Sequence, residues 1–183
     1  MTLFADTIQA RPFIKWVGGK TQLLDEVAKF LPKDFATRQH LTYVEPFVGG
    51  GAVMFWILQA YPNIEHAVIN DINEELICTY QVIKEDVESL IFELTHIQQE
   101  YIPLKSDDRK TYFLAKRNRF NTKQTTPVET AALFIFLNRT CFNGLYRVNS
   151  KGEFNVPHGK YANPRICDAE NLRACSKVLQ KVE

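Results

Sequence analysis

A run of glycines between two carboxylates is the part of this chain best spaced for chemistry. Leu41 to Val44 is a β-type run that leads into Glu45. Pro46-Phe47-Val48-Gly49-Gly50-Gly51 follows, then the apolar, helix-compatible run Ala52 to Ala60. Strand, glycine turn and helix in that order make a crevice of the kind that takes nucleotides, because glycine lets backbone approach a ligand where a Cβ would clash. Asp71 stands twenty positions beyond Gly51, directly after a second β-type run, His66 to Asn70. A carboxylate there can accept hydrogen bonds from both hydroxyls of a ribose.

The glycines do not follow the dinucleotide fingerprint G-x-G-x-x-G, since counting from Gly49 and Gly51 puts the third position on Met54. Upstream, Val17-Gly18-Gly19-Lys20-Thr21 ends like a phosphate-binding loop, but the glycine that loop needs at position 14 is Ile14. A glycine turn with a ribose-binding acid and no pyrophosphate cradle suits S-adenosylmethionine. An ordinary strand-to-helix turn followed by a surface aspartate is the other reading of the same residues.

The elements that must position these groups follow from periodicity. Thr21 is expected to cap a helix running to about Phe30, with Leu23, Leu24, Val27, Phe30 and Leu31 on one side. Asn73 is a plausible N-cap for a helix carrying Leu76, Ile77, Tyr80 and Ile83, and residues 85–101 read as another. Two strand-helix units argue for a parallel sheet with helices on its faces. Beyond Pro103 the character changes. Residues 108–120 read as a basic helix and Val128 to Leu137 as a buried one. Two alternating runs flank Asn149-Ser150-Lys151-Gly152, which signals a β-hairpin. Basic and amide side chains on such a ribbon can fill a DNA major groove, although the hairpin could also simply extend the sheet. Ala169 to Leu179 is helix-like.

With 183 residues the chain suffices for one domain with a real core, and at 45% hydrophobic and 23% charged it has ordinary globular composition. No apolar run approaches a membrane span, and Met1 to Gln9 carries no secretory pattern. The four cysteines (Cys78, Cys141, Cys167, Cys175) form no C-x-x-C pair and read as reduced thiols of a cytoplasmic protein, with no metal site. The net charge of +1 hides an asymmetry. Residues 105–165 hold 12 Lys and Arg against 4 Asp and Glu, a net of +8, while the remainder carries −7. A basic segment beside an acidic body points to a polyanion, and a solvated basic helix face is the plainer reading.

Five separated motifs carry a resemblance. Phe13-Ile14-Lys15-Trp16-Val17-Gly18-Gly19-Lys20, Val44-Glu45-Pro46-Phe47-Val48-Gly49-Gly50-Gly51 and Asn70-Asp71-Ile72-Asn73 resemble the cofactor motifs of Dam-type DNA adenine methyltransferases. Leu137-Asn138-Arg139 with Phe142-Asn143-Gly144-Leu145-Tyr146-Arg147, and Gly152 through Tyr161, look like the DNA-recognition region of that family, in its order. The resemblance implies a Rossmann-like α/β methyltransferase fold with an inserted helical and β-hairpin recognition region. It divides the chain into a cofactor part (1–104), a recognition region (105–165) and a return segment (166–183).

It also implies roles. Trp16, Lys20, Phe47, Gly49 and Gly51 would line the S-adenosylmethionine site, Asp71 would hold the ribose and Ile72 would pack on the adenine. Lys15 and Arg147 would each read a guanine, while Leu145 and Pro157 would meet a thymine methyl. Phe142 would enter the base stack beside an extruded adenine, Asn143 would touch the backbone, Lys160 would take a phosphate and Tyr161 a base. The target implied is double-stranded 5′-GATC-3′ or a close relative.

The family's Asp-Pro-Pro-Tyr, which grips the adenine amino group and stacks on the flipped base, has no counterpart here. All eight prolines are isolated, so no catalytic residue is assigned. The expectation is that a second chain or a further segment supplies that part, and that without it apolar surface is left uncovered. Three functions follow: an adenine methyltransferase represented by its N-terminal part, an inactive module that binds DNA and cofactor, and an unrelated nucleotide-dependent enzyme. The hairpin and the charge asymmetry disfavour the third.

Overall fold

A computed structural model describes residues 8–183. Most of the N-terminal stretch read for a secretory pattern, residues 1–7, lies outside the described residues. Strand β1 (Leu41–Glu45) pairs in parallel with β2 (Ile64–Ile69), in register from Thr42 against His66 to Glu45 against Ile69. Helix α2 (Ala52–Ala60) makes the crossover, and its Met54, Phe55, Ile57 and Leu58 are buried. On the other edge of β2, residues 181–183 run parallel to the strand. The Ala67 N–H donates to the Lys181 carbonyl (2.8 Å), and the Ile69 N–H donates to the Glu183 carbonyl (2.8 Å). The chain is thus a mixed α/β protein with a small parallel sheet.

Helix α3 (Glu74–Glu85) starts at Asn73, whose side-chain oxygen accepts from the Leu76 N–H at 2.8 Å, and two glutamates in its first turn favour the positive end of the helix dipole. Helices α4 (Val87–Tyr101) and α5 (Ser106–Asn121) pack against α6 (Pro127–Thr140). Proline at its first turn and a Thr126 cap open α6, and every residue from Ala131 to Asn138 is buried. It is the central helix that its apolar run implies. Helix α7 (Ala169–Leu179) packs on α3. One contiguous apolar cluster joins α2, α3, α4, α5, α6 and α7, with Phe55, Leu76, Leu94, Tyr101, Phe113 and Phe136 among its members.

Two expectations change. The helix expected from Thr21 to Phe30 is a 3-10 turn (Thr21–Leu23) followed by a short helix α1 (Leu24–Lys29), and Thr21 makes no capping bond. The Leu23 N–H bonds to the Lys20 carbonyl three residues back, which tightens the first turn and shifts the apolar face. Phe30 is consequently 85% exposed. The expected hairpin does not extend the sheet and is no regular ladder. It has one antiparallel bridge, Val148 to Phe154. Side-chain amides take several of its other backbone groups. Asn149 Oδ1 accepts from the Lys151 and Glu153 N–H groups, and Asn121 of α5 grips both the N–H and the C=O of Phe154.

Candidate functional site

The glycine turn after β1 carries two left-handed residues, Gly49 (φ +49°) and Gly51 (φ +73°). Both are filled from inside the protein. A Cβ on Gly49 would stand 2.7 Å from Trp16 Cδ1, and one on Gly51 would stand 2.5 Å from the Tyr80 hydroxyl. Glycine is required here because Trp16 and Tyr80 pack flush against the turn, a nearer cause than ligand approach. The Tyr80 hydroxyl donates to the Gly49 carbonyl at 2.9 Å. Asp71 braces the same turn: its Oδ2 accepts from the Gly49 N–H and its Oδ1 from the Asn73 N–H, both at 3.0 Å. Each of these oxygens keeps a further lone pair for a hydroxyl donor.

Trp16, Lys20, Phe47, Gly49, Gly51 and Asp71 line one open cleft of about 480 Å³, together with Lys15 and Glu45. Phe47 is 85% exposed at its rim. Ile72 does not line the cleft and projects into solvent beside Asp71, 95% exposed. Lys20 Nζ donates to the Gly18 carbonyl at 2.7 Å. Glu45 is a cleft acid to which the residue pattern assigned no role. Burial raises its pKa, outweighing the Tyr43 hydroxyl that donates to it at 2.8 Å and the nearby Lys20 charge. It is a half-hidden acceptor at the floor of the cleft.

Lys15 borders the cleft, but its side chain extends beyond it to the 142–161 region. Its stem runs across Gly144 (φ +62°), where an added Cβ would lie 2.6 Å from Lys15 Cδ, and its ammonium sits 4.9 Å from the centre of the Tyr161 ring. Around this contact the 142–161 region closes on itself. The Phe142 N–H donates to the Pro157 carbonyl and the Gly159 N–H to the Thr140 carbonyl, both at 2.8 Å. Lys15, Phe142, Pro157 and Tyr161 thus come together. Phe142 is 51% exposed, Asn143 and Lys160 are exposed at positive φ, and Leu145 is half-buried. Arg147 lies further along the loop, exposed, with its Nε donating to Asn155 Oδ1 at 2.7 Å and its Nη2 to the Asn155 carbonyl at 3.4 Å.

Several groups that hold the site have no role assigned from the sequence, although Asn138, Tyr146 and His158 lie within the motifs that carry the resemblance. Residues 10–15 have no strand partner among the described residues, and three helices grip them through side-chain amides. Gln59 of α2 bonds the N–H and C=O of Ala10, Asn171 of α7 those of Arg11, and Asn138 of α6 those of Lys15. Tyr146 points away from its neighbours Leu145 and Arg147 and stacks on Trp16, with ring centres 5.8 Å apart. Its hydroxyl donates to Glu75 Oε2 at 3.2 Å, and Glu75 also pairs with Lys123. Burial disfavours the Glu75 carboxylate, but Lys123 and Tyr146 outweigh it and hold its pKa low. His158 shares a 2.7 Å hydrogen bond with the Tyr101 hydroxyl, and burial together with Arg109, Lys160 and Lys110 holds its pKa below the ordinary value.

A parallel strand, a glycine turn and a braced carboxylate around one cleft form the construction of nucleotide-handling α/β proteins. Residues 16–183 match the sequence profile of the D12 class N6 adenine-specific DNA methyltransferases, and the chain belongs to that family. Among its relatives is the Type II methyltransferase M.MjaIII of Methanocaldococcus jannaschii, 47% identical over 178 residues covering 96% of this chain and 61% of that protein. The Type II methyltransferase M1.LlaDCHI of Lactococcus lactis subsp. cremoris is 41% identical over 94% of this chain and 56% of its own length. The DNA adenine methylase of Haemophilus influenzae is 40% identical over 84% and 49%. The chain spans only about half to three-fifths of the length of these curated relatives. Among the described residues no helix is long and apolar enough to cross a membrane.

Proposed function

We propose that this chain holds S-adenosylmethionine in the Trp16–Asp71 cleft and reads a GATC-class duplex with its basic 105–165 region and Lys15. On this reading it is the cofactor-holding and base-reading part of a cytoplasmic, site-specific adenine methyltransferase with a Rossmann-like core. Residues 1–104 serve the cofactor, 105–165 the DNA, and 166–183 lead back to the sheet. The carrying observation is that adjacent residues face the two sites: Trp16 lies in the cleft and Lys15 lies against Gly144 and Tyr161.

The residues of the cleft fit that cofactor. Asp71 is held by two backbone N–H groups with lone pairs to spare for ribose hydroxyls. Trp16 and Phe47 offer apolar surface for a purine, Ile72 stands outside the cleft beside Asp71, and Glu45 can accept from an ammonium. Bound S-adenosylmethionine would supply an electrophilic methyl group. On the DNA side, Lys15 and Arg147 are donors suited to guanine, and Leu145 and Pro157 suit a thymine methyl. Phe142 can fill the space an extruded adenine leaves, Asn143 can touch the backbone, and Lys160 and Tyr161 can take a phosphate and a base.

The test is calorimetric titration with S-adenosylhomocysteine and anisotropy with a GATC duplex. Binding of both is expected, with duplex affinity falling as salt rises. Asp71→Ala should weaken the nucleoside about tenfold or more while sparing duplex binding, since the loss of a charged hydrogen-bonding partner costs about 1.5–3 kcal/mol. A chain that binds neither, or an Asp71→Ala variant with unchanged nucleoside affinity, refutes the assignment. Transfer of labelled methyl to the duplex separates an enzyme from a module that only binds.

A further inference from the structure

Lys15 and Trp16 are neighbours in the chain, yet the Lys15 side chain reaches Gly144 and Tyr161 while Trp16 packs on Gly49 and Tyr146, so their backbone must be held closely for both side chains to arrive. Asn138 is the residue that meets this backbone. It lies in the last turn of the apolar helix α6 and is only 4% exposed. Its Oδ1 accepts from the Lys15 N–H at 2.8 Å, and its Nδ2 donates to the Lys15 carbonyl at 2.8 Å and to the Gly144 carbonyl at 2.9 Å. Three of the amide's four hydrogen-bonding positions are thereby spent on two backbone segments. Arg139, the next residue, adds a bond from its Nη2 to the Phe13 carbonyl at 2.6 Å.

We propose that Asn138 is a positioning residue that fixes Lys15 against the 142–161 loop, and so sets which base Lys15 can reach. The inference rests on the reading of this chain as a duplex-binding protein. An amide in an apolar interior is costly to leave unpaired, so its three bonds act as a rigid link and not as a loose tether. The link runs between the backbone of Lys15 and that of Gly144, and the Lys15 stem lies directly over the bare Cα of Gly144. Asn138 touches no ligand. It acts through the Lys15 backbone, and its loss should be felt at the one base that Lys15 contacts.

That locality is what the experiment reads. Binding of the 183-residue chain is measured by anisotropy to a GATC duplex and to duplexes with one guanine at a time replaced. The variants are Asn138→Ala, Lys15→Ala and the double substitution. Asn138→Ala is expected to lower discrimination about tenfold at the guanine sensed by Lys15 and to leave the other guanine unaffected, in line with the typical worth of a base contact. The double variant should be no worse than Lys15→Ala alone, because the two act as one unit.

If Asn138→Ala fails to fold, Gly144→Ala probes the same link from the loop side, where its Cβ would displace the Lys15 stem, and it should give the same position-specific loss. Equal weakening on every duplex, additive losses in the double variant, or unchanged discrimination in Gly144→Ala overturns the proposal. A wild-type chain with no preference for GATC over a scrambled duplex removes the functional reading itself. A preference that survives these substitutions removes only the role of Asn138.

Discussion

Replacing Gly51 by alanine carries two costs, and Gly152 allows them to be separated. Gly51 has φ +73° and Gly152 φ +75°, so an alanine at either position takes on the same left-handed strain of about 1–2 kcal/mol. Nothing lies within 4 Å of a Cβ on Gly152. Strain alone acts there, reduced by about 0.4–1 kcal/mol through a stiffer unfolded chain. Gly152→Ala should therefore cost about 1 kcal/mol net. At Gly51 the new Cβ would meet the Tyr80 hydroxyl at 2.5 Å, Phe55 Cε2 at 3.1 Å and Met54 Cε at 3.2 Å. Moving the Tyr80 hydroxyl breaks its bond to the Gly49 carbonyl, a buried loss of about 1–3 kcal/mol. Repacking the two other neighbours adds about 1–3 kcal/mol.

Gly51→Ala should thus cost about 3–7 kcal/mol, a large share of the stability of a typical domain. Urea titrations of both variants, followed by far-ultraviolet circular dichroism, measure the difference. Tyr80→Phe removes the obstructing oxygen, and in that background Gly51→Ala should cost about 2 kcal/mol less. Equal midpoints for Gly51→Ala and Gly152→Ala would show that Tyr80 does not impose the glycine, and the reasoning about the turn would fail.

Asn73→Ala removes the cap of α3 and should cost about 1 kcal/mol in the same titration, with a shift under 0.3 kcal/mol, at about the level of an ordinary surface change, refuting the capping role. Arg147→Ala should lose about 1–3 kcal/mol of discrimination at one guanine, read by anisotropy on substituted duplexes, whereas uniform weakening would make Arg147 a phosphate contact. His158 has a folded-state pKa below its ordinary 6.5, from burial first and then from Arg109, Lys160 and Lys110. The unfolded chain takes up that proton more readily, so the contribution of His158 is present above about pH 6.5 and is lost as pH falls through the folded value. His158→Gln should flatten this part of the melting-temperature profile, and parallel profiles for the two proteins would refute the assignment.

Much of this molecule is local enough to read along the chain. The bounds of α2 and α7 follow from apolar spacing, and the capping by Asn73 follows from an amide placed three residues before the helix needs it. The meeting of Asp71 with the glycine turn follows from two parallel strands ending side by side. The hairpin was legible as a turn but not as a ladder, because three asparagines (Asn121, Asn149 and, at the loop's base, Asn138) compete for backbone groups that strands would otherwise pair. Residues 181–183 were too few to carry a strand period, yet they pair with β2. Asn138 directly follows the most apolar run of the chain, and its partner Lys15 is 123 positions away, so nothing local in the sequence joins the two.

The three amide grips on residues 10–15 tie site geometry to the packing of the core. Gln59, Asn138 and Asn171 belong to three different helices, and each holds both polar groups of one residue. A segment paired along a sheet edge can slip by a residue and keep most of its bonds, whereas bonds from three separately packed helices cannot shift together. The segment is therefore located by α2, α6 and α7, whose positions are fixed by buried residues such as Phe55, Phe134 and Leu172. The end of the segment is Lys15-Trp16. Trp16 lies between Gly49 and Tyr146, and Lys15 lies over Gly144. The relative placement of the cleft and the basic loop is set in the hydrophobic core.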